Sequence, residues 1–146
     1  MDDLSLPIPP RLTCAALIFD DQERILLVRE NYGRRRFGPP AGAVEVGETP
    51  QEAVVREVME ETCLAVRVAR LVALYHSRSK RDRWLTFWFR CEIEAGEPRL
   101  PESDEIAEVG WYDPEKLPRP LTHSARVITD GVLGEYGIVR EDFIAD

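Results

Sequence analysis

The sequence predicts an α/β fold in which a mixed β-sheet is packed between helices. Short apolar runs rich in β-branched residues alternate with two segments of helical periodicity. All of them lie within 146 residues, without a linker, internal repeat or low-complexity segment. Strands and helices interleaved over such a length bury their apolar faces against one another. We therefore expect residues 1–146 to form a single domain, with residues 1–11 as a proline-punctuated arm on its surface.

The strands are predicted from apolar runs bounded by turn residues. They cover residues 13–19, 25–29, 66–75, 84–94 and 108–112, with a turn at 20–23 and loops at 30–36, 76–83 and 95–105. The segment 84–94 alternates cleanly, as a strand with two different faces should. One face carries Leu85, Phe87, Phe89, Cys91 and Ile93, and the other carries Thr86, Trp88, Arg90 and Glu92.

Two helices are predicted, one beginning at residue 49 or 50 and ending near 63, the other over residues 123–133. Thr49 is a good N-cap, Pro50 suits the first helical position, and Glu52 completes a capping box. At the other end Cys63 occupies the place where glycine usually forms a left-handed cap. A cysteine in that conformation costs about 1–2 kcal/mol, so we expect local strain there.

Three carboxylates lie on one side of the first predicted helix. Glu57, Glu60 and Glu61 fall within about 100° of one another at a period of 3.6 residues. The opposite side is predicted to be apolar, with Val54, Val55, Val58, Met59 and Thr62. Like charges at this spacing destabilise a helix unless a cation lies between them. Oxygen ligands of this kind suit Mg²⁺ and metal-assisted phosphoryl chemistry, although three such acids alone are more often a solvated helix face.

The run from Gly42 to Leu64 resembles the Nudix hydrolase box, G-x5-E-x7-R-E-U-x-E-E-x-G-U, in which U is a bulky aliphatic residue. The matching positions are Gly42, Glu48, Arg56, Glu57, Val58, Glu60, Glu61 and Leu64. Cys63 departs from the pattern, because the family has glycine there. The lead-in from Phe37 to Gly42 is also similar, with Ala41 in place of one glycine. The resemblance implies the Nudix α/β/α sandwich.

The resemblance also implies roles for these residues. Glu57, Glu60 and Glu61 would be ligands of Mg²⁺ or Mn²⁺, together with the main-chain carbonyl of Ala41. Glu48 and Arg56 would hold the loop and orient the carboxylates. The reaction implied is attack by water on a phosphorus atom of a diphosphate.

The general base is either a glutamate of the box or one from a later loop. Glu105 is the first candidate from the loop, with Glu102 behind it. A solvated loop acid is an equally good interpretation of each.

Basic and aromatic residues near the box are candidates for substrate binding. Arg34 and Arg36 precede the box, and Arg78 and Arg83 belong to a second basic cluster. Such clusters can attract an anionic substrate to a chain of net charge −8, or simply solvate loop tips. Phe37 can stack on a base, although core packing is the alternative for this ring.

Composition limits the other classes of function. A net charge of −8 argues against long nucleic acid and anionic membranes as partners. No apolar run has the length of a membrane span, and the acidic start is no secretory signal. Cys14, Cys63 and Cys91 are odd in number and lack C-x-x-C spacing, so they are expected to be free thiols. We therefore expect a cytoplasmic protein.

The function predicted is that of a metal-dependent pyrophosphohydrolase that cleaves the diphosphate linkage of a nucleoside diphosphate derivative. A small nucleoside di- or triphosphate is preferred, since the chain is little longer than the minimal domain. The alternative is a Nudix domain that senses a nucleotide without turnover, and the replaced glycines at Ala41 and Cys63 are its only support. A structural acidic helix without a metal is a third hypothesis. A homodimer is common in the family, and the sequence does not decide the oligomeric state.

Overall fold

The computed structural model describes residues 8–125, Ile128 and the backbone of residues 138–143. One α-helix, α1 (Pro50–Thr62), and eight strands occur in this part of the chain. The strands are β1 (Arg11–Leu17), β2 (Ile25–Glu30), β3 (Phe37–Gly38), β4 (Ala41–Ala43), β5 (Ala65–Arg78), β6 (Arg83–Ala95), β7 (Ile106–Tyr112) and β8 (Ile138–Phe143). A short 3-10 turn covers His123–Ala125. Of the rest of the helix predicted over residues 123–133, Ile128 is helical and buried, and the other residues lie outside the described part.

The strands form two sheets. The larger has the order β4-β1-β6-β5-β8, and the smaller has the order β3-β2-β7. The pairs β1–β6 and β5–β8 are parallel, whereas β1–β4 and β5–β6 are antiparallel. The larger sheet is therefore mixed, as the sequence predicted. All pairs in the smaller sheet are antiparallel.

Two apolar cores separate these layers. The core between the sheets is built from Ala15, Leu17, Ile25, Leu27, Phe37, Val72, Ala73, Tyr75, Trp88 and Ile128. The other core joins α1 to the opposite face of the larger sheet and includes Val54, Val58, Phe89 and Cys91. Trp88 and Phe89 are neighbours on β6 and enter different cores. The predicted alternation along this strand is thus confirmed, and both of its faces are covered in the middle.

Two details of the predicted elements were wrong. Met59 is 46% exposed, because Val54, Val58 and Thr62 form the row of α1 that faces the sheet. The basic segment 76–83 is not all loop, since β5 and β6 continue to the pair Arg78↔Arg83. Pairing of backbone groups does not require apolar side chains, so the polar ends of these strands stay in register.

The ends of α1 match the prediction. The hydroxyl of Thr49 accepts a hydrogen bond from the Glu52 amide (3.1 Å), and the Glu52 carboxylate accepts one from the Thr49 amide (2.9 Å). Cys63 adopts the left-handed conformation, with φ 64° and ψ 15°. The helix is therefore fixed at both ends relative to the loop that precedes it. No helix in the described part of the chain is long and apolar enough to cross a membrane.

Candidate active site

Two carboxylates meet on α1, one helical turn apart. The side chain of Glu57 is only 13% exposed and is hydrogen-bonded to that of Glu61. Glu61 also accepts a hydrogen bond from the Ala41 amide on β4 (3.2 Å). Burial and the contact with Glu57 raise the pKa of Glu61 well above its ordinary value. The helix thus holds a pair of like groups that a proton or a cation must neutralise.

Arg56 ties this helix to the loop before it. Its Nε and Nη2 atoms donate to the two carboxylate oxygens of Glu48, at 2.7 and 2.9 Å. Nη2 also donates to the Ala43 carbonyl (3.0 Å), and Nη1 donates to Glu57 (2.9 Å). The hydrogen bonds from Arg56 lower the pKa of Glu48 to about 2. Glu48 is therefore ionised at neutral pH, and the guanidinium group orients Glu57 from behind.

Glu60 is more exposed than Glu57 and shares its contact with Arg56. Its side chain is 56% exposed, and its carboxylate accepts a hydrogen bond from Arg56 Nη1 (3.2 Å). Among the described residues, no group of three His, Cys, Asp or Glu side chains is close enough together to hold a metal ion. In this arrangement Glu60 is paired with an arginine on its own helix.

The donor chemistry of the site nevertheless fits a hard divalent cation. Glu57 and Glu61 offer oxygen atoms, which Mg²⁺ and Mn²⁺ prefer. Because the pair is largely buried and carries like charges, a cation would stabilise the ionised form of both groups. Glu57 and Glu61 are therefore the side chains that would hold the ion. Glu60, like Glu57, bonds Arg56 through one carboxylate oxygen, which leaves its other oxygen for a cation.

A cavity of about 420 Å³ opens in front of the pair. Its lining includes Glu57, Glu61, Gly42 and Glu105. The Glu105 loop is held there by Asn31, whose amide donates to the Glu105 carbonyl and whose Nδ2 donates to the Asp104 carbonyl, both at 2.9 Å. The structure thus brings a residue predicted from a separate loop to the box glutamates.

A smaller recess of about 290 Å³ lies beside this cavity. Glu102 lines it together with Glu105 and the three box glutamates. Both loop candidates for the general base are therefore next to α1. Only Glu105 also reaches the larger cavity.

The predicted substrate-binding residues are not all at the cavity. Arg36 lines it, as does Ala41, but Arg34 is exposed and outside the lining. Phe37 is 7% exposed in the core between the sheets, where its ring meets Tyr112 edge to face at 5.7 Å. Of the two interpretations of Phe37, core packing therefore matches the position of its ring.

Arg78 and Arg83 lie at the far end of the β5–β6 hairpin and do not line the cavity. Arg83 donates to the Ile8 carbonyl (2.8 Å) and to His76 Nε2 (3.1 Å). Its guanidinium group thus fastens the segment before β1 to the hairpin.

The sequence interpretation missed three polar residues of the cavity. Glu30 and Tyr32 lie in or beside the arginine-rich loop, and Thr122 comes from a distant segment. The Thr122 amide donates to the Phe37 carbonyl (2.8 Å), which brings this segment beside β3. Tyr32, a 58% exposed aromatic residue, could have been noticed next to the arginines. No local pattern marks Thr122, because its position depends on the tertiary fold.

A larger groove of about 660 Å³ lies elsewhere on the molecule. Phe19, Asp20, Arg24 and Arg90 are among its lining residues, and none of the box glutamates is. Arg24 is paired with Asp20 at 2.7 Å, and Arg90 stacks on Phe19 at 4.4 Å. Its charged groups are thus already engaged, so size alone does not make this groove the site.

Comparison with known proteins identifies the family. Residues 9–131 match the NUDIX domain, so the chain belongs to the Nudix family. It is 33% identical over 128 residues to an ADP-ribose pyrophosphatase of Methanocaldococcus jannaschii, covering 86% of this chain and 75% of that protein. It is 40% identical over 130 residues to the NAD-capped RNA hydrolase NudC of Citrobacter koseri, covering 85% of this chain and 49% of that protein. The chain thus spans about half the length of NudC.

Solved structures support the same conclusion. A MutT NUDIX hydrolase from Burkholderia pseudomallei superposes with a TM-score of 0.72 at 31% identity, over 84% of this chain and 97% of that one. The predicted α/β/α sandwich class is therefore confirmed. The predicted class of enzyme, a hydrolase acting on phosphoanhydride bonds, is confirmed by membership of this family.

Proposed function

We propose that this protein is a metal-dependent pyrophosphohydrolase that cleaves the diphosphate linkage of a nucleoside diphosphate derivative. The observation that carries the proposal is the meeting of Glu57, Glu61 and Glu105 at one cavity. Relatives named as an ADP-ribose pyrophosphatase and an NAD-capped RNA hydrolase support a substrate of this kind. The substrate is a small molecule, and a long nucleic acid is disfavoured by the net charge of −8.

The side chains of α1 arrange the site to bind a divalent cation. A bound Mg²⁺ or Mn²⁺ would supply a Lewis acid for the phosphate oxygens and lower the pKa of water. Glu57 and Glu61 would hold it, with Glu60 and the Ala41 carbonyl as further ligands. Arg56 keeps Glu57 oriented and Glu48 keeps Arg56 in place, through the hydrogen bonds described above. Arg36, at the cavity wall, offsets the charge of the diphosphate.

Glu105 serves as the general base in this proposal. It takes a proton from the attacking water while the water oxygen bonds to phosphorus and the bridging P–O bond breaks. The bridging oxygen leaves with the other phosphate, so two phosphate products form. The loop that carries Glu105 is fixed to Asn31 through two hydrogen bonds, which limits the positions open to the base.

The remaining expectations are kept as proposals. Residues 1–146 are one domain, and the protein works in the cytoplasm; residues 1–7 of the predicted arm lie outside the described residues. The state of the cysteines is consistent with a reducing compartment, because Cys14, Cys63 and Cys91 are all free thiols. Burial raises the pKa of Cys14 and of Cys91 to about 12, so both are inert at neutral pH.

Cleavage of a panel of nucleotides and nucleotide conjugates into their two phosphate-bearing products, separated by chromatography, tests the activity. Each compound is incubated with the wild-type protein, with Glu61→Gln and with Glu97→Gln. Each reaction is run with Mg²⁺, with Mn²⁺ and with a chelator. Glu97 is an exposed acid outside the site and serves as the matched control. Metal-dependent cleavage by wild type and Glu97→Gln, lost in Glu61→Gln, is the expected result. Cleavage that survives Glu61→Gln would contradict the mechanism.

One observation favours a second function, that of a nucleotide sensor without turnover. Ala41 and Cys63 stand where the family has glycine, in the lead-in and in the box itself. A silent panel would support the sensor if a nucleotide still raised the melting temperature of the protein.

A further inference from the structure

Arg36 is the only basic side chain among the described residues that line the cavity in front of α1. Four acids share that lining, namely Glu30, Glu57, Glu61 and Glu105. The phosphate groups of a substrate are anions, and they enter a cavity whose own charge is negative until a cation binds. The surroundings of the Arg36 guanidinium group therefore decide how strongly the protein itself attracts a phosphate.

The guanidinium group of Arg36 lies beside Glu30, the last residue of β2. Its Nε atom is 3.5 Å from Glu30 Oε1, which is an ion-pair distance, and this buried nitrogen has no hydrogen-bond partner among the described residues. A guanidinium group presents its N–H donors as a planar fork that fits a phosphate or a carboxylate through two parallel bonds. Glu30 does not engage the fork in that way, so its donors remain for a phosphate.

The other contacts of the Glu30 carboxylate are also long. Oε1 accepts a hydrogen bond from the Arg36 amide at 3.2 Å, and Oε2 accepts one from the Tyr32 hydroxyl at 3.3 Å. A bond from a hydroxyl to a carboxylate usually measures about 2.5–2.7 Å, so the second contact is weak. By comparison, Arg56 donates to both oxygens of Glu48 at 2.7 and 2.9 Å. The Glu48–Arg56 pair is thus tight, whereas the Glu30–Arg36 pair is loose.

The backbone keeps Glu30 and Arg36 together without help from their side chains. The Glu30 amide donates to the Arg36 carbonyl at 2.9 Å, where the chain passes from β2 to β3. Inside this loop the Arg35 amide donates to the Tyr32 carbonyl at 2.9 Å, and Arg35 has a left-handed backbone with φ 52°. The Glu30 carboxylate can therefore move away from the guanidinium group while the loop retains its shape.

We propose that Glu30 is a displaceable counter-ion of Arg36, which a phosphate group of the substrate replaces at the guanidinium group. Because the phosphate then competes with a carboxylate of like charge, Glu30 lowers the affinity of the cavity for phosphate. The loss matters most for a product with a single phosphate, which offers a divalent cation fewer oxygens than a diphosphate does. Glu30 thus favours release of the product. This inference rests on the proposed function for the use of Arg36, but the binding it describes needs no turnover.

Binding of inorganic pyrophosphate in the presence of a chelator tests this pair apart from catalysis. Dissociation constants are measured by calorimetry for wild type, Glu30→Gln, Arg36→Gln and the protein with both changes. Glu30→Gln keeps the length of the side chain and an acceptor oxygen, but removes the charge. Glu108→Gln is the matched control, since Glu108 pairs with Arg29 at 3.0 Å and does not line the cavity. Melting temperatures show that each variant is folded.

Glu30→Gln should bind pyrophosphate about tenfold more tightly than wild type, and Glu108→Gln should bind it as wild type does. In the Arg36→Gln background the same change should have little effect, because there is no guanidinium group for Glu30 to occupy. An equal gain in both backgrounds would overturn the inference, since Glu30 would then act only through the total charge of the cavity. Unchanged or weaker binding by Glu30→Gln would overturn it as well.

Product inhibition tests the consequence for the reaction. If wild type hydrolyses a compound, the product with a single phosphate should inhibit Glu30→Gln at about tenfold lower concentration than wild type. Equal inhibition of the two proteins would overturn the role of Glu30 in product release.

This inference and the proposed function fail in different ways. A protein without hydrolysis, in which Glu30→Gln tightens pyrophosphate binding only when Arg36 is present, retains the counter-ion and loses the catalytic proposal. A protein that hydrolyses nucleotides, but whose pyrophosphate affinity is untouched in Glu30→Gln, retains the proposed function and loses the counter-ion.

Discussion

A Cβ atom on Gly42 would lie 2.2 Å from the carboxyl carbon of Glu57. Gly42 is held in β4 by its pairing with Cys14 on β1, so the backbone there has little freedom to retreat. Arg56 holds the Glu57 carboxylate from the other side. The Glu57 carboxylate is thus enclosed between the Arg56 guanidinium group and the backbone of Gly42. The first position of the box is glycine because a side chain there would clash with this carboxylate.

Gly42→Ala should therefore displace Glu57 and impair catalysis. We expect hydrolysis to fall about a hundredfold, because one misplaced charged group at a reacting centre costs that order of rate. Formation of the two cleavage products and the melting temperature are measured together. Gly110→Ala is the control, since a Cβ atom at Gly110 would meet only the Tyr112 ring, at 3.4 Å or more. An active Gly42→Ala protein would mean that the position of Glu57 is not critical.

Arg56→Lys tests whether the geometry of the guanidinium group matters as well as its charge. A lysine cannot donate to both oxygens of Glu48 and also reach Glu57 and the Ala43 carbonyl. We expect activity or metal affinity to fall about 10- to 100-fold, as is usual when a group supporting metal ligands is lost. Rates are measured over a series of Mg²⁺ concentrations. Arg67→Lys, at an exposed pair with Glu92, should have no effect.

Local signals in the sequence predicted the part of the site that lies on one continuous segment. The capping box at Thr49 and Glu52, and the left-handed Cys63, follow from rules that involve only neighbouring residues. The contact between Glu57 and Glu61 also follows, because residues four apart share a helix face.

The rest of the site depends on contacts between distant segments. Thr122 reaches the cavity only through the backbone bond to Phe37, and Glu105 through the contacts of its loop with Asn31. Phe37 occurs beside three arginines in the sequence, yet its ring lies in the core because β3 pairs with β2. No rule based on neighbours distinguishes a stacking ring from a core ring in that setting.

The Glu48–Arg56 pair should make stability depend on pH in the acid range. The pKa of Glu48 in the folded protein is about 2, below the ordinary value of 4.5. The pair therefore stabilises the fold fully above about pH 4.5, and this effect is lost as the pH falls toward 2. Glu48→Gln removes this titration. The gap in melting temperature between wild type and Glu48→Gln should be widest at neutral pH and narrow as the pH falls from 4.5 to 2. A gap that does not change with pH would show that the pair has no such effect.

Cys63→Gly should stabilise the protein. At φ 64° a non-glycine residue is strained, and relief of that strain is expected to raise the free energy of unfolding by about 1 kcal/mol. Urea titration measures the difference. Cys63→Ala is the control, because alanine removes the thiol and retains the strain. Equal stability of the two variants would mean that the cap conformation carries no penalty here.

Asn31 should influence the reaction through the Glu105 loop without touching the box glutamates. Its Nδ2 atom donates to the Asp104 carbonyl, and its Oδ1 atom accepts from Arg35 at 2.6 Å. Asn31→Asp retains the acceptor for Arg35 but loses the donor to Asp104, so the loop is released on one side only. We expect kcat to fall about tenfold, since one hydrogen bond is lost, with little change in KM. The same assay on Glu105→Gln and Glu102→Gln identifies the affected acid. If Asn31→Asp lowers kcat in wild type but not in Glu105→Gln, Asn31 acts through Glu105, whereas an equal loss in both backgrounds would exclude that role.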